Sequence, residues 1–315
     1  ESQTLSRPGL KKDVELTNKV SDPPGPESQD DPQLPAEPIS HAHGNGGRLM
    51  RELIDEVIAR HLANPLLDTH CDAAALALDA TEGELMLTTD SFTVQPLEFP
   101  GGDIGSLAVH GTVNDLSVAG AVPRYLSLNV IIEEGFDARR LERIIASLAE
   151  AAKQAQVAVV TGDTKVVGRG EGGGLYLATT GIGIRPRTLR LGMDQIRDGD
   201  VVLVSGPVGD HGIAVMLARE QFGLRGDVCS DAASVFPLTR QLAMIPGLRF
   251  MRDPTRGGLA SVLNEIVRAT GLGVRVHEPD VPVRDPVRAV CEMLGYDPFY
   301  LACEGRVVAV VAAET

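Results

Sequence analysis

Between Arg48 and Leu62 the apolar residues Leu49, Met50, Leu53, Ile54, Val57 and Ile58 recur three and four positions apart, which sets them on one stripe of a helix. The pattern then changes. LMLTTD (85–90) predicts a strand, GGDIGSLAVHGTVNDLSVAGA (101–121) a helix, and LSLNVII (126–132) another strand. Leu141, Ile144, Ile145, Leu148 and Ala152 share a helical face, and VAVVTG (157–162) and LYLATTGIGI (175–184) read as strands. After Pro186 and a polar IRDGD turn the alternation restarts. It gives strand VVLVSG (201–206), a helix from about His211, helix 257–270, strand GVRVH (273–277), helix 286–295 and strand RVVAVVA (306–312). Strands alternating in this way with helices define an α/β chain.

Residues 1–39 lack any such period. They hold seven of the 20 prolines among many Ser, Asp and Glu, and are expected to be a disordered tail. The remainder divides near residue 188 into an N-terminal domain, 40–187, and a C-terminal domain, 188–315. The sequence stops just after a strand that no further element would cover, so the second domain is expected to be incomplete.

Composition narrows the function. A hydrophobic fraction of 43% suits a globular protein, and with no Trp its cores must be built from Val, Leu, Ile and Ala. The formal charge of −14, with no Lys/Arg cluster, argues against nucleic-acid binding. It does not exclude a nucleotide, because Mg²⁺ bridges carboxylates to phosphates. Cys71, Cys229, Cys291 and Cys303 form no CxxC pair, which points to reduced thiols and a cytoplasmic location. There is no apolar run long enough for a membrane span and no signal-peptide core.

The sequence has no GxxxxGK[ST] loop, no complete GxGxxG and no HExxH. What stands out is a set of acids at the ends of predicted elements: Asp72 in CDAAALAL, Asp90 closing LMLTTD, Asp115 in GTVNDL and Asp163 after VAVVTG. Carboxylates at strand ends converge on one rim of a sheet, where hard oxygen ligands suit Mg²⁺ carrying a triphosphate. Any one of them could equally cap a turn. Three glycine turns, HGNGG (43–47), GDHG (209–212) and RDPTRGG (252–258), could turn backbone N–H groups toward phosphates. The two arginines of the last are an anion clamp or half of an Arg–Asp pair holding the turn. His43 and His211 would touch phosphate or cap a helix. Lys165 in GDTK would neutralise phosphate or lie on the surface, and Glu304 in ACEG is a base or a turn acid.

In this order, HGNGGRLMREL (43–53), TTDSFTVQPLEFPGGDIGSLAVHGTVNDLSVAGA (88–121), VTGDTKVV (160–167), GDHG (209–212) and MRDPTRGGLASVLNE (251–265) resemble the PurM-like ATP-binding superfamily. Within it they resemble the HypE family of hydrogenase-maturation dehydratases. The resemblance covers nearly everything after the tail. It implies an α/β N-terminal domain that dimerises through its sheet and holds ATP in the cleft, with a C-terminal α/β domain over it. A carbamoyltransferase partner (HypF-like) would load a carbamoyl group onto the chain's own C-terminal cysteine. ATP would then drive its dehydration to a cyano group for the iron of nickel–iron hydrogenase, delivered through HypC–HypD-like scaffolds. Asp72, Asp90, Asp115 and Asp163 would hold Mg²⁺, with Asn114, Thr164, Gly46, Gly47, His211 and Arg256 also at the nucleotide. Lys165 and Glu304 would be the proton-transfer pair.

Two departures stand out. Cys71 replaces a commonly acidic residue, and the family's terminal Pro-Arg-Ile-Cys would lie beyond Thr315. The sequence as given is therefore not expected to dehydrate a group on itself. The alternatives are a related ATP-using enzyme such as a selenophosphate synthetase, which would want a reactive Cys near HAHGNGG, and a non-catalytic ATP-binding scaffold.

Overall fold

In the computed structural model, which describes residues 38–44, 48–69, 76, 83–219 and 227–314, the first apolar stripe is helical but not one regular spiral. Helix α1 (Arg48–Leu53) continues through a π-helical turn (Ile54–Ala59) into α2 (Arg60–Leu62), burying Leu53, Val57 and Leu62. The expected tail lies outside the described residues up to position 37. Ile39 is buried, donates to the Phe136 carbonyl and accepts from Gly135, so packed chain already exists there.

The first sheet is built from β1 (Glu84–Phe92), β4 (Val122–Glu133), β5 (Ala158–Val167) and β6 (Leu175–Arg185), in the order β1-β6-β4-β5. A two-residue ribbon, β2 (Glu98–Phe99) with β3 (Gly102–Asp103), leads into α3 (Ile104–Val118). The Asp103 carboxylate caps α3 by accepting from Gly105 and Ser106, and the Ser106 hydroxyl accepts from Asp103 N–H in return. Helix α4 (Ala138–Gln154), capped by Asp137, buries the predicted stripe Leu141, Ile144, Ile145 and Leu148. A Cβ on Gly105 would lie 2.3 Å from the Ile144 carbonyl, so the absence of a side chain there lets the two helices approach closely. Together α3 and α4 cover one face of the sheet.

No described element covers the other face. Strand alternation turns Leu85, Leu87, Thr89 and Ser91 of β1 and Asn129 and Ile131 of β4 that way, and Leu87 is 67% exposed.

A second, antiparallel sheet has the order β7-β9-β8, from β7 (Val201–Val204), β8 (Leu248–Arg252) and a fully buried central β9 (Val308–Val311). It packs with α5 (Asp210–Ala218), α6 (Phe236–Leu242), α7 (Gly258–Thr270) and α8 (Asp285–Leu294). Neither α6 nor β8 is evident from the sequence: the helix is two turns long with a proline in its first turn, and the strand has five residues, two of them Arg. The strand expected at 273–277 does not form. That segment has no ladder partner among the described residues, and propensity alone does not make a strand. Val118 of α3 packs with Val235, Met251 and Val307, so one cluster joins the two halves.

Candidate active site

The acids predicted at element ends lie inside the elements. β1 runs on past Asp90 to Phe92 and β5 past Asp163 to Val167, while Asp115 is in the last turn of α3. Register then separates them. Asp90 stands opposite Thr179, Thr179 opposite Leu128, and Leu128 opposite Gly162, a row whose side chains face α3 and α4. Asp163 belongs to the next row, with Asn129, Ala178 and Ser91, on the uncovered face. Asp90 and Asp163 therefore occupy opposite faces of opposite edge strands, about 14 Å apart at three strand spacings. One chain does not bring the four acids to one rim. Asp72, Gly46 and Gly47 lie outside the described residues, and among those described no three His, Cys, Asp or Glu side chains converge to hold a metal ion.

Two groups result. On β5, Lys165 Nζ pairs with Asp163 Oδ2 at 3.1 Å and both side chains are exposed. Thr164 points inward to a small cavity beside Met50, Ile54 and Ile58, and its N–H donates to Asp163 Oδ1 at 2.8 Å. The second group faces a cavity of about 630 Å³ between β1, α3, β8 and the start of α7. Thr88, Asp115, Arg252, Asp253 and Arg256 line it. Thr88 Oγ1 donates to Asp115 Oδ2 at 2.9 Å. Burial raises the Asp115 carboxyl and the charge of Asp90 adds to this, against the Thr88 bond and Arg252. Burial pushes Asp253 up to about 7, with Asp115 the next cause. Burial also pushes Glu304 up to about 8, helped by the charges of Asp253, Asp231, Asp90 and Asp115. These five acids share one field, and a cation or a transferred proton would relieve it.

The RDPTRGG turn opens α7 through Gly257, whose φ of +79° favours glycine, and no side chain caps the helix. Arg252 turns to Glu265 at 3.1 Å, so the expected alternative of an Arg–Asp pair is not what holds this turn. Arg256 is exposed on the cavity wall and has no ion-pair partner among the described residues. Asn114 is spent within the chain: its Nδ2 donates to the carbonyls of Ala233 and Glu304, both at 3.0 Å, and its Oδ1 accepts from Val235 N–H at 2.8 Å. His211 caps no helix. It is buried, edge-on to Phe99, with Nδ1 2.8 Å from Ser230 Oγ, and burial lowers its pKa. The imidazole Nδ1 of His43 turns back on Ser40. Sequence reading passed over Thr88, Asp231 and Asp253. Thr88 and Asp253 lay in motifs already singled out, but there Asp90 and the arginines drew the attention; Asp231 lay in none.

Two adjoining profiles match the chain: AIR synthase related protein, N-terminal domain, over residues 70–185, and its C-terminal domain over 197–315. The fold is accordingly that two-domain α/β, PurM-like class. Carbamoyl dehydratase HypE of Azotobacter vinelandii is 50% identical over 277 residues, 88% of this chain and 81% of its own length. A crystal structure of the hydrogenase maturation protein HypE in complex with ATP superposes with TM-score 0.83 at 47% identity, covering 87% of this chain and 82% of that one. HypE in a crystal structure of a HypE–HypF complex gives TM-score 0.72 at 44% identity, covering 85% of each chain. The chain belongs to the HypE family of carbamoyl dehydratases. Enzyme is thus the reading that stands against a scaffold.

Proposed function

We propose that this protein converts an S-carbamoyl group on a C-terminal cysteine into an S-cyano group at the expense of ATP, supplying cyanide for nickel–iron hydrogenase. The names of its relatives support this, and so does one observation on this chain. Glu304 carries a carboxyl raised to about 8 in an acid-lined site, which suits a group that takes and releases protons near neutral pH. An amide oxygen leaves poorly. Transfer of the γ-phosphoryl group to it makes phosphate the leaving group, and loss of both N–H protons with the C–O bond leaves C≡N. Glu304, as the carboxylate, takes one proton, and Lys165 relays the other, passing an ammonium proton to its partner Asp163 as its nitrogen takes one from the substrate.

The cavity has room and charge for nucleotide phosphates at Arg256 and Arg252, with Thr88 and Asp115 on its wall. Asp90 and Asp115 would hold Mg²⁺, which neutralises phosphate charge and needs only one or two carboxylates beside the phosphates. Asp163 and Lys165 reach the same nucleotide only from a second copy, whose sheet would cover the face carrying Leu85, Leu87 and Ile131, while Thr164 faces inward and would hold the strand that presents them. A homodimer therefore belongs to this reading. So do a HypF-like carbamoyl donor, HypC–HypD-like acceptors and a cytoplasmic setting. No helix among the described residues is long and apolar enough to cross a membrane.

The test is mass spectrometry of the full-length protein carbamoylated by its partner. Addition of ATP is expected to remove one water, readily in wild type and only at a small residual rate in Glu304→Gln. A carbamoylated protein that keeps its mass with ATP overturns the reading.

A further inference from the structure

Glu304 sits in a turn that is gripped from two sides. On one side Asp231, whose side chain is 1% exposed, accepts from Glu304 N–H through Oδ1 and from Gly305 N–H through Oδ2, both at 3.2 Å. Asp231 is itself fixed by Arg306 Nε at 3.6 Å. Arg306 in turn donates to the Pro207 carbonyl at 2.8 Å and pairs with Asp210 at 3.3 Å. On the other side Asn114 holds the Glu304 carbonyl at 3.0 Å. The two backbones touch: a Cβ on Gly305 would fall 1.9 Å from the Asp231 carbonyl oxygen, so no other residue fits there without moving the loop.

Both polar backbone groups of Glu304 are therefore committed. Two successive N–H groups aimed at one carboxylate fix the backbone torsions between them, and with them the direction of the Glu304 side chain. Bonds to an ionised acceptor are roughly twice as strong as neutral ones, so a neutral substitute holds the turn less firmly.

We propose that Asp231 is the positioning residue of Glu304: its carboxylate, straddling the Glu304 and Gly305 amides, sets where the base is presented. This rests on the proposed dehydration. Asp231 touches neither nucleotide nor carbamoyl group and acts through the turn alone. A displacement of about 1 Å at a reacting group costs on the order of 100-fold in rate.

The experiment compares wild type, Asp231→Asn, Glu304→Gln and the double variant in the full-length protein. ATP affinity is read by calorimetry and single-turnover dehydration by mass spectrometry. Asp231→Asn keeps the shape but replaces one acceptor oxygen with a donor facing an amide N–H. It is expected to slow dehydration about 100-fold, to keep the ATP dissociation constant within about twofold, and to add nothing in the Glu304→Gln background. An unchanged rate, a parallel loss of ATP affinity, or the same factor lost in both backgrounds overturns the proposal. Should Asp231→Asn fail to fold, Asp231→Ser carries the same expectations; if neither folds, Asp231 is a stability residue and the proposal falls. If wild type itself does not dehydrate, the functional reading fails separately. The positioning is then decided by crystal structures, in which Glu304 moves by about 1 Å in the variant or, against the proposal, superimposes.

Discussion

Asn114 donates its side-chain amide to the carbonyl of Glu304 at 3.0 Å, tying helix α3 to a turn 190 residues further along. The same side chain serves Ala233 and Val235, so three backbone groups depend on it. Asn114→Ala leaves them unpaired and is expected to lower the unfolding free energy by about 3 kcal/mol. Asn114→Asp should cost more, because a carboxylate oxygen would then face two carbonyls. Urea unfolding checks both, and an Asp variant as stable as wild type contradicts the bonding.

Nucleotide binding is expected to depend on acids from both sides of the first sheet, Asp115 on α3 and Asp163 on β5. Asp115→Asn and Asp163→Asn should each weaken Mg²⁺-dependent ATP affinity about tenfold, or 1.4 kcal/mol. Calorimetry with and without Mg²⁺ reads this. If Asp115→Asn matters and Asp163→Asn does not, the nucleotide is served by one chain only.

The uncovered sheet face supplies a separate test. Leu87 is 67% exposed in the single chain and would be buried between two copies. Leu87→Lys is expected to convert a dimer to a monomer in sedimentation velocity at micromolar concentration while leaving the circular dichroism unchanged. A wild-type protein that sediments as a monomer removes the dimer from the mechanism.

Stability should fall as the solution is made alkaline. Glu304 moves from an ordinary 4.5 in the unfolded chain to about 8 in the folded one, so the folded state keeps a proton that the unfolded state gives up. Its contribution is complete below 4.5 and is lost as pH rises through 8, and Asp253, at about 7, acts in the same sense. The loss between these limits is on the order of a few kcal/mol. Glu304→Gln should flatten the curve, and identical slopes for variant and wild type would count against an elevated Glu304.

The amphipathic helix α4 and the alternating β4 and β6 were legible in the sequence because each buries one face and keeps a clean period. The acids that line the site were visible as a set, but their grouping was not. GDTK reads as a turn, since Gly and Asp are turn formers, yet β4 pairs with this segment in parallel through Val167 and keeps it extended. That single extension decides the face on which Asp163 and Lys165 emerge. Asp231 could not be found at all: it acts by gripping amides 73 and 74 residues away, and no local pattern records such a partner.

Strands β1 and β5 each pair with only one strand among the described residues, which leaves rows of N–H and C=O groups without a described strand partner, although Asn64 Nδ2 holds the Val159 carbonyl of β5 and residues 41–44 pack against the same strand. Rows of this kind are templates for pairing with any extended chain. Exposed Asp90 on one edge, and Asp163 with Lys165 on the other, place ionised groups where such pairing would have to begin. The residues proposed to serve the nucleotide are thus also placed as gatekeepers against such pairing. Neutralising them strips that protection, so material lost to aggregates in such variants reports on the edges of the sheet, and only the soluble fraction reports on the ligand.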